Sequence, residues 1–120
     1  MSGFDSDVLG ALRKVREVRI RTEKHPKTAV VIWIVVANDE VFVRSFRGAR
    51  GRWYRDLAEG GPATLELGGR ELMVQAEPAA DAESVARVSS EFLAKYRSSS
   101  YAQAMVKPDA LPTTLRLRPR

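Results

Sequence analysis

Five arginines fall within fourteen residues in RSFRGARGRWYRDL, residues 44–57: Arg44, Arg47, Arg50, Arg52 and Arg55. Gly48 and Gly51 lie among them, and Trp53 and Tyr54 follow. A guanidinium makes paired, charge-assisted hydrogen bonds to phosphate or carboxylate. Glycine lets backbone approach a ligand closely. A helix starting near Arg52 adds unpaired N–H groups and a positive end. Trp53 and Tyr54 offer flat faces to a ring. The segment thus reads as an anion site suited to a phosphorylated aromatic molecule. Two other readings stand beside it: a nucleic-acid patch, and a solvated loop. In the last, Trp53 and Leu57 anchor a helix in the core while Arg52 and Arg55 are solvated or pair with Asp56 or Glu59.

A second basic stretch, TEKHPKTAV, sets Lys24 and Lys27 on either side of a turn. They can reach a phosphate or simply solvate a hairpin tip. The single histidine, His25, sits in that turn beside Pro26; it could act as a base, but it reads first as an exposed turn histidine. The chain has no cysteine, which removes thiolate nucleophiles, disulfides and Cys-type zinc sites together and is compatible with a reducing cytosol. No HExxH, EF-hand loop, Walker loop or dinucleotide fingerprint occurs, so no metal and no catalytic triad is expected. Glu17, Glu23, Glu66, Glu71 and Glu77 fall on strand faces where solvation accounts for them. A net charge of +5 favours anionic partners without choosing among them. The longest apolar run, AVVIWIVVA, is far below the roughly 20 residues of a membrane helix, and no signal peptide is read at the start. A soluble, cytoplasmic protein is expected.

These side chains need elements to hold them. The length, 120 residues, predicts one domain over residues 1–120. Asp5 to Lys14 reads as a short helix that Asp5 or Ser6 can cap, with Val8, Leu9 and Leu12 on its apolar stripe. VREVRIRTE alternates as a strand with one wet face, and KHPK turns the chain. TAVVIWIVVA, apolar on both faces, is expected as the central, doubly covered strand. NDE leads into VFVRS as a hairpin, and RWYRDLAE has helical spacing ended by GGP. ATLEL-GG-RELMVQAE is a second hairpin on a Gly-Gly turn. DAESVARVSSEFLAKY is the clearest helix, with Asp81 as cap and Val85, Val88, Phe92 and Tyr96 on its buried face. SSSYAQAMV adds a turn or two of helix, and PTTLRLRPR closes as a strand. Six strands, about four helices and mostly hairpin connections predict an α+β protein whose antiparallel sheet curls into a small barrel, because closure removes exposed edges.

The stretch TEKHPKTAVVIWIVVANDEVFVRSFRGARGRWYRDLAEGGPATLELGGRELMV resembles the split β-barrel proteins of the flavin-binding, pyridoxamine-phosphate-oxidase-like class. In layout it is closest to the deazaflavin-dependent nitroreductase branch. That branch has a basic turn, an apolar strand, a strand ending in Ser, a glycine loop and a W-Y-x-x-L helix, here W-Y-R-D-L at 53–57. With the closing TTLRLRPR, the chain is similar to a small uncharacterised bacterial family within that class. The resemblance covers about residues 15–118. It implies a six-stranded, mostly antiparallel split β-barrel with flanking helices, a homodimer, and FMN or a deazaflavin coenzyme in a groove near the dimer interface. It further implies an oxidoreductase in which the cofactor carries the hydride chemistry and no side chain is assigned as catalytic. Carried over, the cofactor-binding positions are Lys24, Lys27, Arg44, Ser45, Arg47, Gly48, Arg50, Trp53 and Tyr54. The basic turn, glycine-rich in the relatives, is shortened here to EKHPK. The alternatives are a non-enzymatic module for nucleic acid or another polyanion, and a structural homodimer without cofactor.

Overall fold

The computed structural model describes residues 3–120. Helix α1 (Ser6–Lys14) begins where the Asp5 carboxylate accepts the Val8 N–H at 3.0 Å, and it buries Val8, Leu9 and Leu12. Strands β1 (Val18–Thr22), β2 (His25–Ile32), β3 (Val35–Ala37) and β4 (Glu40–Val43) follow. The chain then passes through a 3-10 turn (Gly48–Arg50) into the short helix α2 (Arg52–Leu57), the hairpin β5 (Gly61–Leu67) and β6 (Arg70–Pro78), and the long helix α3 (Ala82–Lys95). Two further 3-10 turns (Ala102–Val106 and Leu111–Thr113) lead to β7 (Leu115–Pro119). Asp81 caps α3 by accepting the Ser84 N–H. Asn38 and Asp39 turn the β3–β4 hairpin at positive φ, as Gly68 and Gly69 turn β5–β6, and both pairs match the twist that two-residue hairpins require.

All seven strands join one sheet in the order β2-β1-β5-β6-β7-β4-β3, and every neighbouring pair is antiparallel. The sheet has seven strands instead of the expected six because TAVVIWIVVA does not run as one. It divides at Trp33 and Ile34 into β2 and β3, which occupy opposite edges of the sheet. Three Cα steps from Ile32 to Val35 span at most about 11 Å. A flat sheet would hold its first and seventh strands about 29 Å apart at the usual spacing. The sheet therefore curls until its edges approach, giving a half-barrel flanked by three α-helices.

The apolar run is accordingly not central. Ile34–Ala37 is buried, but Pro26–Thr28 and Val31 of the β2 edge are exposed. Pro26 lies inside β2, where an edge strand tolerates the missing N–H. The turn before it is only Glu23–Lys24, with Thr22 facing His25 across it. Inside the curl, Ile20, Leu65, Val74, Val41, Val43, Leu115 and Leu117 pack with Leu12 of α1 and with Trp53 and Leu57 of α2. Outside it, Val35, Ala37 and Phe42 meet Val88, Phe92 and Tyr96 under α3, whose Val85 is only half-buried.

Candidate functional site

β2 is paired on one side only, so alternate backbone groups along it are free of the sheet. Opposite part of β2 stands the segment that leaves β4. The two enclose a cleft of about 750 Å³, within the usual range for small-molecule sites. Val30, Val31, Ile32 and Trp33 form one wall with Glu17; Arg44, Ser45, Arg47, Gly51, Arg52 and Trp53 form the other. Phe46, Tyr101 and Met105 complete the lining. Trp33 is fixed by face-to-face stacking on Tyr96, with centroids 3.9 Å apart and planes 2° from parallel. Trp53, 8% exposed, is held by the core and meets Tyr54 edge-on.

Of the nine positions expected to bind, the fold brings Arg44, Ser45, Arg47 and Trp53 to this cleft. Gly48 is buried behind it, at φ 64°, where a Cβ would press on the Asp109 carbonyl. Arg50 is exposed and Tyr54 half-buried, and neither lines the cleft. Lys24 and Lys27 stand exposed toward the other end of β2 and also lie outside it. α2 has only six residues, too short to supply the helix-terminus site expected near Arg52.

Arg44 corrects the expectation most sharply. It is 1% exposed and bonded to the protein itself. Its Nε donates to Thr114 Oγ1 at 2.8 Å, Nη1 to Ser89 Oγ and the Met105 carbonyl at 2.9 Å each, and Nη2 to the Val85 carbonyl at 2.8 Å. The guanidinium also covers the Phe92 ring, with its carbon 5.6 Å from the centroid. Burial pushes its pKa down to about 10, which still leaves it charged at neutral pH. Four of its five N–H bonds are thereby spent on holding β4, α3 and the two 3-10 turns together, so it is not a free phosphate clamp. Arg44, Arg47 and Arg50 do not converge.

Ser45 differs. Its N–H is taken by Thr113 Oγ1, but its hydroxyl is buried and finds no hydrogen-bond partner among the described residues. Buried polar atoms are normally paired. The oxygen packs against Gly51, where any Cβ would collide with it. Arg47, Arg52 and Arg55 are exposed and unpaired among the described residues, so Arg52 and Arg55 are solvated and not paired with Asp56 or Glu59.

His25 is not a free turn histidine. Its Nδ1 lies 2.6 Å from Asp56 Oδ2, which also accepts the Thr22 hydroxyl at 2.7 Å. Burial of Asp56 works against its charge, but the bonds from Thr22 and His25 prevail and hold its pKa below the ordinary value. This cluster pins α2 to the β1–β2 turn, away from the cleft. Nor are the strand carboxylates merely solvated: Glu66 and Glu71 pair with Arg21, and Glu77 with Arg116 and Arg118. A smaller depression of about 390 Å³ beside the Gly68–Gly69 turn is walled by Arg19, Arg70, Glu17, Glu66 and Glu71, whose charges offset one another, and it offers no aromatic face.

Sequence reasoning missed Trp33, Phe46, Tyr101 and Met105. Phe46 and Tyr101 carried a usable signal, since each is an aromatic set in a polar stretch. Trp33 carried none, being one apolar residue in an apolar run.

Residues 8–117 match the family described as "Uncharacterized protein conserved in bacteria (DUF2255)". The chain belongs to the DUF2255 family. Nearly the whole chain lies within that match, the cleft and its aromatic lining included. Among curated proteins none matches the sequence significantly. Among solved structures, this DUF2255 chain is similar to the conserved hypothetical protein Rv2991 from Mycobacterium tuberculosis, at 12% identity and a TM-score of 0.62. That likeness covers 98% of this chain and 80% of the other, and it is a likeness of fold.

Proposed function

We propose that the cleft between the β2 edge and the Arg44–Trp53 segment binds a planar, anionic aromatic cofactor, FMN or a deazaflavin coenzyme, and that the protein is an oxidoreductase of the split-barrel class. The observation that carries this reading is a tryptophan on each wall together with an unpartnered, buried Ser45 hydroxyl on the Trp53 side. The residues fit the group: Trp33 and Trp53 flank a flat ring, Arg47 and Arg52 offer charge to a phosphate, and Ser45 has a donor to give. Free N–H and C=O groups of the β2 edge suit the polar rim of such a ring. When bound, the cofactor supplies hydride transfer. The chain's own share is to hold it, orient it and exclude water. Lys24 and Lys27 take no part, and the phosphate end rests on Arg47 and Arg52 instead. A second copy docking near the β2 edge would complete the groove as a homodimer. The lack of cysteine suits a reducing cytoplasm.

Trp33 and Trp53 are the only tryptophans and both line the cleft, so their fluorescence reads its occupancy. Titration with FMN, riboflavin and deazaflavin coenzyme is expected to give saturable quenching by at least one of them. Arg47→Ala removes a charge-assisted contact worth roughly 1.5–3 kcal/mol, so affinity should drop about ten- to a hundredfold. Its stability should move by no more than about 0.5 kcal/mol, as for other surface changes. No quenching by any of the three would overturn the reading.

A further inference from the structure

Phe46 and Tyr101 are the most exposed large apolar side chains described, at 57% and 62%. They touch each other edge-to-face, 6.0 Å between centroids, and stand at the mouth of the cleft. Single exposed aromatics are ordinary; two in contact beside a cleft form a surface. In the neighbouring segment arginines outnumber carboxylates. Arg47, Arg50, Arg52 and Arg55 are all exposed, and none joins any ion pair among the described residues. Arg52 and Arg55, three apart on α2, share its outer face, while Trp53 and Leu57 are buried on the other. Residues 46–59 hold only two carboxylates, Asp56 and Glu59, and Asp56 is occupied by Thr22 and His25. Arg47 and Arg52 share the cleft lining with both rings, against one carboxylate there, Glu17, while Asp109 lies beside Gly48.

We propose that this rim binds single-stranded nucleic acid, with bases stacked on Phe46 and Tyr101 and phosphates held by Arg47, Arg50, Arg52 and Arg55. Stacking on aromatic side chains beside a basic track is how small β-barrels hold single strands without reading sequence. A duplex hides its base faces in its own stack and would leave both rings idle. The six-residue α2 is also too short to read a groove. The rim shares Phe46, Tyr101, Arg47 and Arg52 with the cofactor cleft, whereas Arg50 and Arg55 lie outside it, so those two arginines tell the two readings apart.

The test is fluorescence anisotropy of a labelled oligothymidylate of about 16 nucleotides, the upper site size for one such fold. The full-length protein should bind it more tightly than a duplex of equal length. Phe46→Ala and Tyr101→Ala should each weaken binding about 5- to 150-fold, the range for one lost stacked base. Arg50→Ala with Arg55→Ala should flatten the slope of log K against log salt by about 1.4, or 0.7 for each phosphate contact. The same arginine variants should leave FMN quenching unchanged, which separates this surface from the cofactor site. All four residues are exposed, so unchanged melting temperatures are expected. Absence of binding at about 50 mM salt, where phosphate contacts are strong, overturns the proposal. So does equal affinity for the duplex or for inorganic polyphosphate, or binding indifferent to loss of both rings.

Discussion

Arg44 carries its charge into the interior without a carboxylate to meet it. What offsets the desolvation is a set of neutral acceptors: two hydroxyls and two carbonyls. Removing the side chain leaves these buried acceptors unmatched and opens a cavity. Arg44→Met is expected to cost about 3–5 kcal/mol in denaturant unfolding. Arg44→Lys should recover little of it, because an ammonium cannot reproduce the planar fork. Asp56 offers a pH test at the same scale. Its folded pKa lies below the ordinary 3.8, so its contribution is present above that value and is lost as pH falls through it and below. Asp56→Asn should therefore be less stable than the parent near neutral pH, by about 1.5–3 kcal/mol for bonds to a charged group. The gap should close under acid titration below about pH 4, the carboxylate range; a gap independent of pH would exclude the charge as its source.

The break between β2 and β3 is the element on which the curl depends, and α3 secures it. Tyr96 accepts the Ile34 N–H at 3.1 Å and donates to the Arg16 carbonyl at 2.7 Å, while its ring backs Trp33. Lys95 Nζ donates to the Leu12 carbonyl at 2.8 Å and the Ile34 carbonyl at 2.7 Å, so one amine ties the end of α1 to the break. Burial, aided by nearby Arg16, pushes the Lys95 pKa down to about 8 from 10.5. Between those values the unfolded chain binds the extra proton, so this group makes stability rise as pH increases from about 8 to 10.5. Lys95→Met should abolish that rise in unfolding free energy measured across the window. Tyr96 acts oppositely and at higher pH. Burial pushes its pKa up to about 12, so its stabilisation is present below 10 and is lost as pH climbs toward 12. A parent protein whose stability is flat from pH 8 to 10 would contradict the Lys95 assignment.

At the scale of the molecule, a sheet whose edges nearly meet still leaves the β2 edge unpaired. Val31 on that edge is 48% exposed. Unpaired edges invite a second chain. The apolar run AVVIWIVVA is largely covered within one chain, so the motive for a dimer lies in this edge and in the wall it lends the cleft. Sedimentation at micromolar protein is expected to give a dimer, and Val31→Lys, at an edge residue that also lines the cleft, should lose it. A monomer that binds FMN fully would remove the dimer from the function.

Local signals sufficed for most elements. The Asp5 and Asp81 caps, the Gly68–Gly69 turn, the α3 stripe and the alternation of LRLRP each act within a few residues, so the sequence alone determined a hairpin-rich α+β chain and much of its core. The rim arginines were legible for the same reason, since four of them fall in nine consecutive positions. Tertiary structure decided what depends on distant partners. Arg44 turns inward because Thr114, Ser89, Met105 and Val85, 41 to 70 residues away, converge on it. His25 meets Asp56 only because α2 packs under β1. One apolar run becomes two edge strands because closing the sheet, with Tyr96 and Lys95 satisfying the backbone at the break, outweighs the run's own preference to continue. Such contacts lie far apart along the chain and leave no trace in its local pattern.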